Sequence, residues 1–289
     1  MPNRREIKGH MHSVRSIAKV ARAMEMVSLA RLQRLQARVA STRAFAARSW
    51  QVLNHLAAEA EAHVRENPMF CGYPQANRIG IVLITSDKGL VGAYNHEILS
   101  LVSRYVGAQR APAVFITIGK IGREAMLHQG HTIHADFSQL SAETDITALT
   151  PVARVVLDGF AEQVFGEVVL AYTQFQSGMR IKPTIRPLLP ICPGQAGERR
   201  EYLYEPEPQE LLLALLPRLI QFQIYQAFVE SLAAEHQSRR IAMHQATENA
   251  EELIARLQLT YNKVRQQEIT SELVDILSGT VHAAEGQDL

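Results

Sequence analysis

Apolar residues recur along the first part of the chain at alternating intervals of four and three: Ile7, Met11, Val14, Ala18 and Ala21, then Ser28, Leu32, Leu35 and Val39. That beat is the seam of a coiled-coil helix, and it fails only at Glu25. The middle of the seam is made of small residues, so a partner backbone can approach closely there. Arg15, Lys19, Arg22, Arg31, Arg34 and Arg38 occupy the other faces. Near the other end of the chain, Met243, Ala246, Ala250, Leu253, Leu257, Thr260 and Val264 repeat the beat, which then slips by a few residues to Ile269, Leu273 and Ile276. A slip of this kind changes the local winding and the face that is apolar. Upstream, Leu219, Ile220, Ile224, Phe228 and Leu232 form a broader stripe, as expected where a helix lies on a globular body.

The helix breakers agree. No glycine or proline interrupts His10 to Asn67 or Arg218 to Ser278, and all but a few of the 16 glycines and 12 prolines fall between these runs. One helix through the second run alone would be about 90 Å long at 1.5 Å per residue. Pro217 reads as a first-turn start or a kink, and Gly279 as a C-cap. A chain that leaves through one long helix and returns through another pairs them most simply as an antiparallel coil. The plainer alternative is two amphipathic helices packed along an ordinary core.

Between the rods the period changes. Residues 79–86 and 113–118 are near-continuous apolar runs, the mark of strands buried on both faces of a parallel sheet. Helical stretches follow near Tyr94–Val106 and Ile121–Gln129, a third lies near Val152–Val164, and Glu167–Phe175 and the proline-edged Pro183–Ile191 read as strands. Strand alternating with helix predicts an α/β domain. The expected fold is therefore a long antiparallel two-helix coiled coil from both termini plus a central Rossmann-like α/β domain. Its divisions are a shaft helix over 1–67, the α/β domain over 77–205, a second shaft helix over 209–280 and a tail over 281–289.

Composition changes this picture little. The chain is 47% hydrophobic, a globular value. No uncharged apolar stretch reaches the roughly 18 residues of a membrane span, and the charged start has no apolar segment of the secretory kind. Cys71 and Cys192 form no CxxC pair, which suits a reducing, cytosol-facing location. The net charge of +1 hides a split: residues 1–48 set many arginines and lysines against Glu6 and Glu25, whereas acids outnumber bases in 209–289. Two rods of opposite sign can pair with each other or with a protein partner. A nucleic-acid arm is the alternative, weakened by the lack of aromatics to stack bases.

Candidate chemistry is sparse. The first strand runs into Ser86-Asp87-Lys88-Gly89-Leu90-Val91-Gly92-Ala93 and then a helix, a place where glycines can cradle phosphate. The segment matches neither the P-loop GxxxxGK[ST] nor GxGxxG, so it reads as a structural turn. His10 with His12, and His131 with His134, lack the cysteines or carboxylates that would complete a metal site. No GxSxG elbow or Cys–His couple is present. Neither catalytic residue, metal site nor cofactor is expected. Two other readings are a nucleotide-binding α/β protein acting through Asp87–Tyr94, and a coiled-coil adaptor on nucleic acid or membrane.

Four stretches carry a family resemblance: Ile17-Ala-Lys-Val-Ala-Arg-Ala-Met-Glu-Met-Val27 with Arg31; Thr85-Ser-Asp-Lys-Gly-Leu-Val-Gly-Ala-Tyr-Asn95; Tyr202-Leu-Tyr-Glu-Pro206; and a set near the end. That set contains Glu235-His236, Ile241 to Ala250, Leu259-Thr-Tyr-Asn-Lys-Val-Arg-Gln266, Ile269-Thr-Ser-Glu-Leu273 and Ile276-Leu-Ser-Gly279. Together they resemble the gamma subunit of F-type rotary ATP synthases over nearly the whole chain, in a divergent bacterial form. The resemblance implies a non-catalytic central rotor stalk on the cytoplasmic side of the inner membrane, coupling ion flow to ATP synthesis or hydrolysis. Its implied partners are the alpha and beta subunits around the coil, and the epsilon subunit and c-ring at the α/β domain. It implies no nucleic-acid partner and membrane contact only through the complex. Arg265, Gln266, Thr270 and Glu272 match the positions that meet beta-subunit catch loops, at the slip in the seam. Met24 matches the methionine near the beta lever region, with Lys19 and Arg22 beside it, and Tyr204 and Glu205 match positions facing the c-ring. The chain departs from the family's usual Gly-Leu-Cys-Gly-Gly-Phe-Asn at Val91, Ala93 and Tyr94, and carries an extra tail over 282–289.

Overall fold

The structure, a computed structural model, describes residues 3–60, 64, 66–73, 75–138, 140, 144–176, 180–193 and 204–285, with side chains as far as Val274. Tyr202, Leu203, the Ile276 side chain and the last tail residues lie outside the described residues. Two units make up the chain: Met1–Val27 with Arg240–Leu289, and Ser28–Arg239.

Helix α1 runs Arg4–Glu59. A capping box starts it: the Asn3 side chain accepts from the Arg5 N–H at 3.2 Å, and Glu6 accepts from the Asn3 N–H at 3.2 Å. The last helix, α6, runs Pro208–Glu285. It passes through both Pro217 and Gly279, so neither the expected start at Pro217 nor the C-cap at Gly279 is found. The buried residues Leu212, Leu216, Ile220 and Ile224 carry one stripe straight past the proline. The carbonyl that Pro217 leaves without an intrahelical donor belongs to Leu213, which is 54% exposed and open to water. By length and composition alone the helix over Pro208–Val274 contains a window apolar enough to cross a membrane; the Leu212–Ile224 stripe belongs to the core of the larger unit.

In the smaller unit, α1 and α6 lie antiparallel. Advancing along α1, the polar partners retreat along α6: Arg4 forms an ion pair with Glu268 at 3.4 Å and Arg22 with Glu251, and Glu25 lies in hydrogen-bond reach of His244 at 3.1 Å. On α1 the buried positions are Ile7, Met11, Val14 and Ala21, as the sequence predicts. On α6 the inward positions are Met243, Thr247, Ala250, Ile254, Leu257, Tyr261, Val264 and Glu268. This comb keeps the four–three beat throughout, so the expected slip near Ile269 does not occur. Leu253, Thr260, Ile269 and Leu273 are exposed instead. Two neighbouring combs in the sequence have the same spacing. Thr247 can sit inside because its hydroxyl donates to the Met243 carbonyl at 2.9 Å.

The larger unit holds a five-stranded sheet: β1 (Ile79–Ile84), β2 (Ala113–Ile118), β3 (Thr132–Asp136), β4 (Glu167–Phe175) and β5 (Ile181–Leu189). The order is β3-β2-β1-β4-β5, parallel except for β5. Helices α2 (Pro68–Cys71), α3 (Tyr94–Ala108), α4 (Lys120–His128) and α5 (Thr150–Ala161) complete it, with a 3₁₀ turn at Ile146–Leu149. Strand alternation divides the core. Val82, Ile84, Ile116 and Leu170 face a cluster with α1, α5 and α6, whereas Ile81, Leu83, Phe115 and Val169 face α3 and α4. That double burial explains the unbroken apolar runs. Pro183 and Pro187 sit on β5, an edge strand, where a missing N–H is tolerated. Strand β3 was not expected; its half-exposed sequence, Thr132-Ile-His-Ala-Asp136, carries little apolar signal.

The turn from β2 into α4 needs a bare backbone. Gly119 has φ +107°, and a Cβ there would stand 2.2 Å from the Thr85 carbonyl oxygen. Gly119→Ala is therefore expected to destabilise the chain by at least about 2 kcal/mol, measured by urea unfolding.

Candidate functional site

Two places could carry function: the outer faces of the helical pair, and the crevice at the carboxyl ends of the strands, where open α/β sheets usually bind ligands. The crevice falls between β1 and β4, because the chain builds β2 and β3 on one side of β1 and then returns on the other. Its mouth is filled. Val91, Tyr94 and Ala234 form a small buried cluster there. The Tyr94 hydroxyl lies 2.7 Å from Ser231 Oγ, and the Ser238 hydroxyl donates to the Val91 carbonyl at 2.5 Å. The loop after β1 is closed by its own bonds: Asn95 donates to Ser86 Oγ at 2.8 Å and accepts from the Ser86 N–H at 3.1 Å, and Asp87 accepts from the Lys120 N–H at 3.0 Å. The glycine-bearing turn is thus a socket for α6, in keeping with the structural reading of that segment.

Around this socket α6 buries charge. Glu235 accepts from Arg239 at 2.7 Å, and burial raises the Glu235 pKa against the pull of that guanidinium. Burial, with Arg239 and Arg31 nearby, depresses His236 to about 4, so its ring is neutral at ordinary pH. Burial likewise pushes the Tyr94 phenol up, leaving it a hydrogen-bonding group only.

The histidine pairs do not converge. His10 and His12 are exposed on α1. His131 stacks near Phe115 with ring centroids 5.1 Å apart, and His134 meets Phe165 edge-on at 5.3 Å. Among the described residues no group of histidine, cysteine and carboxylate side chains has metal-binding geometry.

The five residues expected to meet a beta subunit lie in the smaller unit but not together. Met24 is half-buried on α1 beside Glu25, which pairs with His244; Arg265, Gln266, Thr270 and Glu272 flank Glu268, which pairs with Arg4. All four are exposed, and the Thr270 hydroxyl donates to the Gln266 carbonyl at 2.9 Å. They face outward because the seam runs past them unshifted, not because it slips. The spacing did not reveal what accompanies them. Ile17, Val20 and Val27 lie on one face of α1 with Met24, and they are 59%, 60% and 52% exposed. Ile269 and Leu273 do the same beside Gln266 and Thr270, at 44% and 55%. Apolar rows on the outside of a coil are a surface built for contact. In the larger unit Tyr204 is half-buried against the main core and Glu205 is exposed.

These features define a mixed α/β protein with a five-stranded sheet and long terminal helices paired antiparallel in the smaller unit. Comparison with known proteins supplies the particular family. The family model for ATP synthase matches residues 3–281. The ATP synthase gamma chain of Roseiflexus castenholzii is 36% identical over 99% of this chain and 100% of its own. That of Chloroflexus aurantiacus is 34% identical over 96% of this chain and 98% of its own. The chain belongs to the ATP synthase gamma chain family, and so is a subunit of a membrane-associated complex. Solved structures share the fold. A chain in a Euglena gracilis mitochondrial ATP synthase structure (OSCP, F1 and c-ring) gives a TM-score of 0.68 at 15% identity, covering 99% of this chain and 96% of that one. One in the Tetrahymena thermophila central stalk and c-ring gives 0.60 at 21%, covering 78% and 99%.

The buried histidine yields a pH test. Its unfolded pKa is 6.5 and its folded one about 4. The unfolded chain therefore takes up a proton that the folded chain refuses. Stability from neutral His236 is full above pH 6.5 and is lost as pH falls towards 4. Urea unfolding across that window is expected to show wild type losing more stability than His236→Gln.

Proposed function

We propose that this chain is the non-catalytic central shaft of an F-type ATP synthase, turned by an ion-driven c-ring and forcing the catalytic alpha and beta subunits through their states of nucleotide affinity. The observation that carries this reading is the antiparallel pair whose inward positions keep a four–three spacing, with Glu25 the one lapse on α1, and which bears apolar rows on its outer faces. A rod that transmits torque cannot contain a hinge, and such rows suit rotation within a close-fitting ring of subunits. The shaft comprises residues 1–67 and 209–280, the foot residues 77–205, and residues 281–289 are a tail. Met24 on α1 and Arg265, Gln266, Thr270 and Glu272 on α6 meet the beta subunits. Tyr204 and Glu205 face the c-ring, and the α/β domain also receives the epsilon subunit. The complex stands on the cytoplasmic side of a bacterial inner membrane, and this subunit touches the membrane only through its partners. The filled crevice speaks against a nucleotide-binding role for the loop at Asp87–Tyr94.

Two outcomes test the proposal. Quantitative disulfide cross-linking of Met24→Cys to a beta subunit in the assembled complex should abolish steady-state ATP hydrolysis; undiminished turnover would rule out the torque-bearing role. Arg265→Ala with Gln266→Ala, both exposed, should change chain stability by no more than about 0.5 kcal/mol. The same pair should lower the torque read from a bead attached to the rotor.

A further inference from the structure

Helix α6 crosses the larger unit on a greasy stripe: Leu212, Leu216, Ile220, Ile224 and Phe228. Apolar contact of this kind opposes any roll that would bare the stripe, but it is non-directional and fixes no single bonded orientation. Directional bonds appear just beyond the stripe, at Glu230 and Ser231. Glu230, 1% exposed, accepts from Arg43 Nε on α1 at 2.9 Å and from Gln226 at 3.2 Å. The same Arg43 guanidinium also donates to the Phe175 carbonyl at the end of β4. Ser231 is fully buried. Its hydroxyl lies 2.7 Å from the Tyr94 hydroxyl at the start of α3 and 3.4 Å from the Thr173 N–H on β4, and Tyr94 also donates to the Ser231 carbonyl at 3.3 Å.

Successive residues point about 100° apart around a helix. Glu230 and Ser231 are therefore held from two directions, one by α1 and the other by α3, with β4 bonded to Arg43 in the first set and to Ser231 in the second. Any roll of α6 about its axis breaks both sets, and so does a slide along it. Glu230 is buried while the Arg43 side chain is 37% exposed, so the pair is only partly shielded from salt. From this we infer that Arg43, Tyr94, Glu230 and Ser231 form a torsional anchor, positioning residues through which the α/β unit grips helix α6 and passes rotation into it. The inference rests on the rotor reading above.

The test uses the complete complex in sealed vesicles, with ATP hydrolysis assayed beside ATP-driven charging of the membrane, followed by a potential-sensitive dye. Arg43→Met with Glu230→Leu removes both members of the ion pair, leaving no orphaned buried charge. Tyr94→Phe removes a single hydroxyl. The triple variant is expected to assemble and hydrolyse ATP while its charging per ATP falls several-fold, with smaller losses for the ion-pair variant and for Tyr94→Phe alone. A residue of merely structural importance would lower the yield of complex but not this ratio. A wild-type ratio in the assembled triple variant overturns the anchor. Should the triple variant fail to assemble, Tyr94→Phe decides: a lowered ratio supports the anchor and an unchanged one overturns it. A wild-type complex that hydrolyses ATP without charging the membrane would instead overturn the rotor reading.

Discussion

A helix with one apolar stripe keeps it from water only if something of matching period lies alongside, and that requirement governs both long helices. In the smaller unit the partner is the other helix, running the opposite way. Every inward position then recurs at four and three residues, and a single polar intrusion must be answered locally. Glu25 is that intrusion on α1, and His244 on α6 meets it at 3.1 Å. In the larger unit the partner is the sheet. Leu32, Leu35 and Val39 of α1 and the Leu212–Ile224 stripe of α6 enter the same core as one face of β1, β2 and β4. Each helix is thus supported in one way in the smaller unit and in another in the larger.

The α/β unit then reads as a ligand-binding design turned to another use. Its strand order creates the crevice in which such folds hold nucleotides, although its first loop, with Gly89 and Gly92, matches neither nucleotide-binding glycine pattern. Here the crevice receives a helix. Tyr94, a departure from the phenylalanine usual in the gamma chain motif, places a hydroxyl against Ser231 inside it. The bonds that close the site to a small molecule are the bonds that fix α6 in place.

Much of this was legible along the chain because the signals were local and repeated. The missing glycines and prolines marked the rods, and the apolar runs at 79–86 and 113–118 marked strands covered on both sides. The failures share a cause as well. The combs through Leu253 and through Ile254 have the same spacing, and only the facing helix decides between them. Pro217 reads locally as a helix start or a kink and Gly279 as a C-cap, yet the helix runs from Pro208 through both. Strand β3 is an edge, so its alternation is polar and weak.

By itself, then, the sequence determined the kind of object this is: two long helices of matched period and opposite charge, an α/β insert between them, and a family resemblance borne by a few strings of residues. Those properties belong to stretches of chain whose neighbours are known from the order of residues. Tertiary structure decided which face of α6 turns inward, that no slip occurs before Glu268, and that the crevice is filled. It also brought Glu230 and Ser231 within reach of Arg43 and Tyr94. Each of these rests on contacts between residues more than a hundred positions apart. Spacing within one segment cannot supply such contacts, because it says nothing about which surface will be pressed against it.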